Sequence, residues 1–127
     1  MSSQSRFTIF VYGSLKRGFH NHDCLRGQTF VGEARTEPVY RLLSLHSYPG
    51  MIEAPTNGRS VHGELWSVDA RCKALLDRLE GVDVGLYRLA EVRLLPPHDS
   101  RGVWTYLYAR STAGLRDVGE VWTQPRA

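Results

Sequence analysis

The chain holds only two cysteines, Cys24 and Cys72, too few for a disulfide framework and in no CxxC pair that would mark a zinc site or a redox couple. Both are read as reduced, structural thiols. Long apolar runs are missing too. The longest, such as Phe7 to Tyr12 and Leu42 to Leu45, fall far short of the roughly 20 residues that span a bilayer. The polar lead-in from Met1 to Arg6 has no apolar segment ahead of a small-residue cleavage site. A cytoplasmic location is therefore expected, with no membrane partner. No run of five basic residues occurs, and 16 Lys+Arg against 13 Asp+Glu leave a net charge of only +3. The arginines are scattered from Arg6 to Arg126, so no nucleic-acid patch is drawn. What is present, 42% hydrophobic and 23% charged residues over 127 positions, predicts one globular domain over 1–127 with a real core.

Phe7-Thr-Ile-Phe-Val-Tyr12 is β-branched and aromatic on both faces and stops at Gly13, which predicts a central buried strand entering a turn. Segments 28–36, 39–45 and 60–68 carry further β-formers between Gly, Pro and Asn and predict three more strands. Tyr48-Pro49-Gly50 and Pro55-Thr56-Asn57-Gly58 read as turns, and 86–95 with 103–110 as a hairpin. Asn21 and Gly27 bracket one expected short helix. The clearest helix runs from an Asp69 cap to a Gly81 stop, with Cys72, Leu75, Leu76 and Leu79 as its apolar stripe. Irregular chain is expected from Ser111 onward. Six or seven strands with one good helix predict an α+β fold whose sheet is curled or closed.

Two places can carry chemistry. At Tyr12-Gly13-Ser14-Leu15 a buried strand runs out into a glycine turn, where successive backbone N–H groups can cradle an anion and Gly13 permits close approach. The same pattern also serves purely as a turn. Glu80 stands four residues after Leu76 and eight after Cys72, on the face otherwise directed at the core and at the negative end of the helix dipole. Desolvation and dipole would both raise its pKa toward the range of a proton shuttle. A last-turn glutamate reaching water is the structural alternative.

Three segments taken together point further. Val11-Tyr12-Gly13-Ser14-Leu15-Lys16-Arg17-Gly18, Val61-His62-Gly63-Glu64-Leu65-Trp66, and Leu76-Asp77-Arg78-Leu79-Glu80-Gly81 followed by Leu86-Tyr87-Arg88 are similar in order and spacing to the γ-glutamylcyclotransferase-like family. The flavour is that of its γ-glutamylamine cyclotransferase and AIG2-like branch, and the motif-bearing core covers about residues 7–110. The resemblance implies a small mixed β-barrel of about six or seven strands flanked by short helices. It implies that Tyr12, Gly13, Ser14 and Leu15 bind the glutamyl head group through backbone amides, that Glu80 is the catalytic acid/base, and that Tyr87 lines the pocket, with Tyr108 a weaker carry-over. The segment 48–52 and the C-terminus are expected to shape the leaving-group side.

The implied reaction is cyclisation of a small-molecule γ-glutamyl amine to 5-oxoproline. The substrate's own α-amine is the nucleophile, so positioning and proton transfer suffice and no metal or cofactor is required. The leaving amine stays open between a free amino acid, the ε-amine of lysine and an acyl group on a biosynthetic intermediate. A monomer or weak homodimer is expected. His20 and His22 lack the i, i+3 or i+4 spacing of a helical ligand pair, so no metal is assigned. Ser14 lies in no GxSxG elbow, so it is not read as a nucleophile. Trp66, Trp104, Tyr106 and Tyr108 are assigned to strand packing. A non-catalytic binding module on the same fold is the alternative function.

Overall fold

A computed structural model describes residues 5–123. Among the described residues, the strands are β1 (Arg6–Val11), β2 (Thr29–Arg35), β3 (Tyr40–Ser44), β4 (Pro49–Glu53), β5 (His62–Asp69), β6 (Tyr87–Glu91) and β7 (Val103–Tyr108). One helix, α1 (Ala70–Leu79), follows β5, and 3-10 turns occupy His22–Leu25 and Val82–Val84. The mixed sheet with few short helices agrees with the α+β expectation.

Six strands lie where β-formers cluster, but β4 overturns the expected turn at Tyr48-Pro49-Gly50. Pro49 and Gly50 open that strand and face Ser44 and Leu43 of β3. Proline is tolerated as the first residue of a strand. Gly50 is fixed by a distant neighbour: a Cβ there would stand 2.7 Å from Cβ of Tyr108.

The strand order is β2-β5-β1-β7-β4-β3, with β6 also on β7. Because β6 occupies one edge of β7 from Trp104 to Tyr108, β1 and β4 must share the other. β1 pairs there in parallel at Thr8↔Val103 and Ile9↔Trp104, and β4 takes over at Met51↔Leu107. Between them, at Thr105 and Tyr106, the edge of β7 has no strand partner, and the chain of β1 turns away. The ladder itself is not closed. Its ends are drawn together where Leu95 N–H donates to Arg35 O and Glu37 N–H to Arg93 O, both at 2.9 Å, which gives the fold its barrel-like form.

The core lies in two clusters, one around Phe10, Leu42, Met51 and Leu107, the other around Ile9, Trp66, Val68 and Leu76. α1 covers the second cluster. The Asp69 carboxylate accepts from Cys72 N–H at 2.8 Å, as an N-cap should, and Gly81 ends the helix in the left-handed region at φ 62°. The expected four-residue stripe is only half used. Cys72 and Leu76 are buried, whereas Leu75 and Leu79 are 44% and 41% exposed, because the helix meets the sheet along one side. The expected helix after Asn21 contracts to a 3-10 turn, and Asn21 gives no side-chain cap. The tail after Ser111 is irregular, as expected, yet tied down: Ser44 N–H donates to Arg116 O, Val118 N–H to Leu42 O and His62 N–H to Glu120 O. Trp122 is 4% exposed at its end.

Candidate active site

A cavity of about 200 Å³ opens where β1 and β4 part along β7. It is lined by Tyr12, Gly13, Ser14 and Leu15, by Glu80 from the end of α1, and by Tyr87 and Tyr106. A site where parallel neighbours separate beyond a strand's carboxyl end is the arrangement seen at switch points of α/β sheets. Tyr12 fills the split. Its hydroxyl donates to Tyr106 O at 2.5 Å and accepts from Met51 N–H at 3.1 Å, replacing the ladder bonds that β1 and β4 leave unmade.

The loop after β1 is clamped from behind. Ser14 O accepts from Asn21 N–H at 2.9 Å, and Ser14 Oγ accepts from Asn21 Nδ2 at 2.9 Å. His22 Nδ1 lies 3.0 Å from Leu15 O, as a donor. With the carbonyls so engaged, the N–H groups of Gly13, Ser14 and Leu15 have no hydrogen-bond partner among the described residues. Three successive free donors thus stand on cavity-lining residues, the kind of backbone group from which anion sites are built. Gly13 is needed for a reason the sequence did not show: a Cβ there would stand 2.7 Å from Cγ and Cδ of Pro49.

The motif 61–66 supports this loop from outside the cavity. Gly63 is forced, since a Cβ would meet Val11 O at 2.5 Å. Glu64, 8% exposed, accepts from Arg17 N–H, Arg17 Nε and Trp66 Nε1, each at 3.1 Å. The Arg17 guanidinium stacks 3.8 Å from the Phe30 ring centroid. Lys16 Nζ donates to Trp122 O at 2.9 Å, and its burial lowers its pKa from the ordinary lysine range.

Glu80 is the acidic residue of the cavity wall. Desolvation pushes its carboxyl up to about 7, and among the described residues no neighbouring charge or hydrogen bond offsets that shift. Its charge is in turn felt by the phenols of Tyr12, Tyr87 and Tyr106. All three are raised, first by burial, and stay protonated. The Tyr87 hydroxyl donates to Pro49 O at 2.6 Å, so its hydrogen bond holds the cavity wall, not Glu80. Tyr108 is not among the cavity-lining residues. It meets the Tyr87 ring edge-on at 5.6 Å between centroids and packs under Gly50, backing the wall.

The profile described as "Gamma-glutamyl cyclotransferase, AIG2-like" matches residues 9–124. The chain belongs to this family. Among curated relatives, a putative γ-glutamylcyclotransferase of Vibrio cholerae is 36% identical over 116 residues, covering 91% of this chain and 95% of the relative. The γ-glutamylaminecyclotransferase of Homo sapiens is 33% identical over 120 residues, covering 82% and 78% respectively. Of solved structures, an AIG2-like protein from Mus musculus superposes with TM-score 0.76 at 29% identity, over 93% of this chain and 88% of that one.

In this AIG2-like chain Tyr48 and Pro49, from the segment expected to shape the leaving-group side, line the cavity, whereas Met51 of the same segment is fully buried in the core. Other wall residues were not legible in the sequence. Asn21, expected as a helix cap, lines it too, as do Leu79, Leu86 and Tyr106, the last assigned to packing alone. Only Tyr106 carried a usable signal, since it stands two residues before Tyr108 on the same face of β7. No described helix is long and apolar enough to cross a membrane.

Proposed function

We propose that this chain cyclises a γ-glutamyl amine or a related γ-glutamyl compound to 5-oxoproline, releasing the amine, with Glu80 as general acid/base. The observation that carries the reading is an unpaired carboxylate, raised to about 7 by desolvation, in the same cavity as three free N–H donors. Membership of the γ-glutamyl cyclotransferase family supports the reaction class.

In this mechanism the nest of Gly13, Ser14 and Leu15 holds the anionic head of the glutamyl group or the developing oxyanion, where preorganised donors are most effective. The substrate's α-nitrogen forms a bond to its γ-carbonyl carbon and closes the five-membered lactam. Glu80 takes the proton from that nitrogen and returns it to the departing amine as the old C–N bond breaks. A base with a pKa near the working pH can do both. Tyr48, Leu79 and Leu86 give the mouth an apolar rim, and among the described residues no lysine or arginine lines the cavity, so the substrate's carboxylate is met by backbone donors.

The test is incubation of the purified protein with a panel of γ-glutamyl amines, γ-glutamyl amino acids and γ-glutamyl-ε-lysine, with 5-oxoproline read by mass spectrometry. Turnover of any member, lost in Glu80→Gln, is the expected result. Binding without turnover across the whole panel would return the chain to a non-catalytic module.

A further inference from the structure

Tyr106 and Asp77 take no direct part in the reaction proposed above, yet they pair beside the cavity that Tyr106 lines. The Tyr106 hydroxyl, on a residue 3% exposed, donates to Asp77 Oδ1 at 2.6 Å. The other carboxylate oxygen accepts from Lys73 Nζ at 2.9 Å. Asp77 and Glu80 are three residues apart and so lie on one side of α1, a single turn from each other.

We propose that the Tyr106–Asp77 hydrogen bond is the device that aims Glu80 into the cavity, making both residues positioning residues for the reaction. Three observations converge on this. The apolar hold on the second half of α1 is thin, since Leu76 is buried while Leu75 and Leu79 are exposed. Among the described residues no charge or hydrogen bond acts on Glu80's own carboxylate, so its aim follows the helix end to which it is attached. The backbone of the same Tyr106 accepts the Tyr12 hydroxyl, so one residue of β7 fixes both the start of the binding loop and the helix end bearing the base. The distance between nest and carboxylate is thereby set from a single rigid strand, which is how a catalytic geometry is kept within the narrow tolerance that proton transfer needs.

This inference rests on the proposed role of Glu80, and the experiment separates the two. Glu80→Gln alone tests the role of the base. Tyr106→Phe keeps the ring and removes only the donor. It is expected to lower kcat about tenfold to a hundredfold, the effect of a displacement of an ångström or less, with KM nearly unchanged and a melting temperature lowered by the loss of one hydrogen bond to a carboxylate. In the Glu80→Gln background the same substitution is expected to change nothing further, because the group being aimed is gone. Asp77→Asn, which keeps an acceptor, should retain most of the activity, and Asp77→Ala should behave as Tyr106→Phe. Asp77 is only partly buried, its side chain 33% exposed, so it reads the tie even where the tyrosine variant folds poorly. Unchanged kcat in both Tyr106→Phe and Asp77→Ala, or a Tyr106→Phe loss that persists in full on top of Glu80→Gln, overturns the inference.

Should no compound of the panel be cyclised, the tie is read without turnover, by ¹³C NMR of the Glu80 carboxyl. The groups facing that carboxyl are Tyr12, Tyr87 and Tyr106 from the sheet side and Cys24 from the 3-10 turn. Tyr12, Tyr87 and Tyr106 are raised and stay protonated, so the acidic titration reports Glu80. A titration midpoint that moves down toward the ordinary glutamate range in Tyr106→Phe supports the tie, and an unmoved one refutes it.

Discussion

Gly13 and Pro49 are in contact so close that a methyl group on Gly13 would stand 2.7 Å from two carbons of the proline ring. The binding loop and the first residue of β4 thus form one wall, and the glycine is there for the protein's own packing. Gly13→Ala is expected to push Pro49 outward and to weaken γ-glutamyl ligand binding, and Gly13→Val to abolish it. Calorimetric titration of the folded variants checks this. Wild-type affinity in Gly13→Val would remove the loop from the site.

Ser14→Ala should be mild. It loses the contact of Ser14 Oγ with Asn21 Nδ2 but keeps the Ser14 N–H and the carbonyl clamp from Asn21. A cost of about 1 kcal/mol in stability is expected for one partly buried hydrogen bond, with substrate KM within a few-fold of wild type. A large rise in KM would mean that the hydroxyl itself contacts substrate.

The effect of Tyr87→Phe is expected to reach turnover through Pro49. The lost donor leaves the buried Pro49 carbonyl unsatisfied, at roughly 1–3 kcal/mol. Thermal melting should fall accordingly, while kcat drops less than in Glu80→Gln. A kcat loss equal to that of Glu80→Gln, with normal melting, would place the phenol on the reacting atoms instead.

Glu64→Leu should be among the most damaging changes outside the cavity. It strips the Arg17 N–H, Arg17 Nε and Trp66 Nε1 donors of their shared acceptor, and leaving the buried indole N–H unpaired, while the half-exposed Arg17 returns to water, costs about 1–3 kcal/mol. Urea denaturation measures the loss. A shift below 1 kcal/mol would show that the network adds little.

For Glu80→Gln the sign of the stability change is set by its pKa, raised by desolvation from 4.5 to about 7. Below the unfolded value both states are protonated and the group is neutral to folding. As pH rises toward the folded value, the unfolded chain ionises more readily, and folding loses stability until the loss levels off above about 7. Glu80→Gln removes that loss, so the variant should be more stable than wild type at pH 8 by about 1–3 kcal/mol and equal to it near pH 4. Its turnover should fall about 10²–10⁴-fold. In the wild type, kcat/KM should decline as pH falls below about 7, as the base protonates. An acid limb that persists unchanged in Glu80→Gln would assign it to another group.

Local sequence was enough for α1, where Asp69, Gly81 and the Cys72–Leu76 spacing act within single turns, and for the strands whose β-formers are continuous. It raised Glu80 and the Tyr12 to Leu15 loop only as candidates, each with a structural alternative, and the resemblance of three ordered segments to one family was what set them apart. Tertiary structure alone decided β4. Pro49 and Gly50 read locally as a turn, and only pairing with β3 and the side chain of Tyr108 makes them a strand. Asn21 and Tyr106 became walls of the cavity for the same kind of reason. Their roles depend on β1 and β4 separating along one edge of β7, a relation between residues some forty to ninety positions apart in the chain, which no local periodicity can encode.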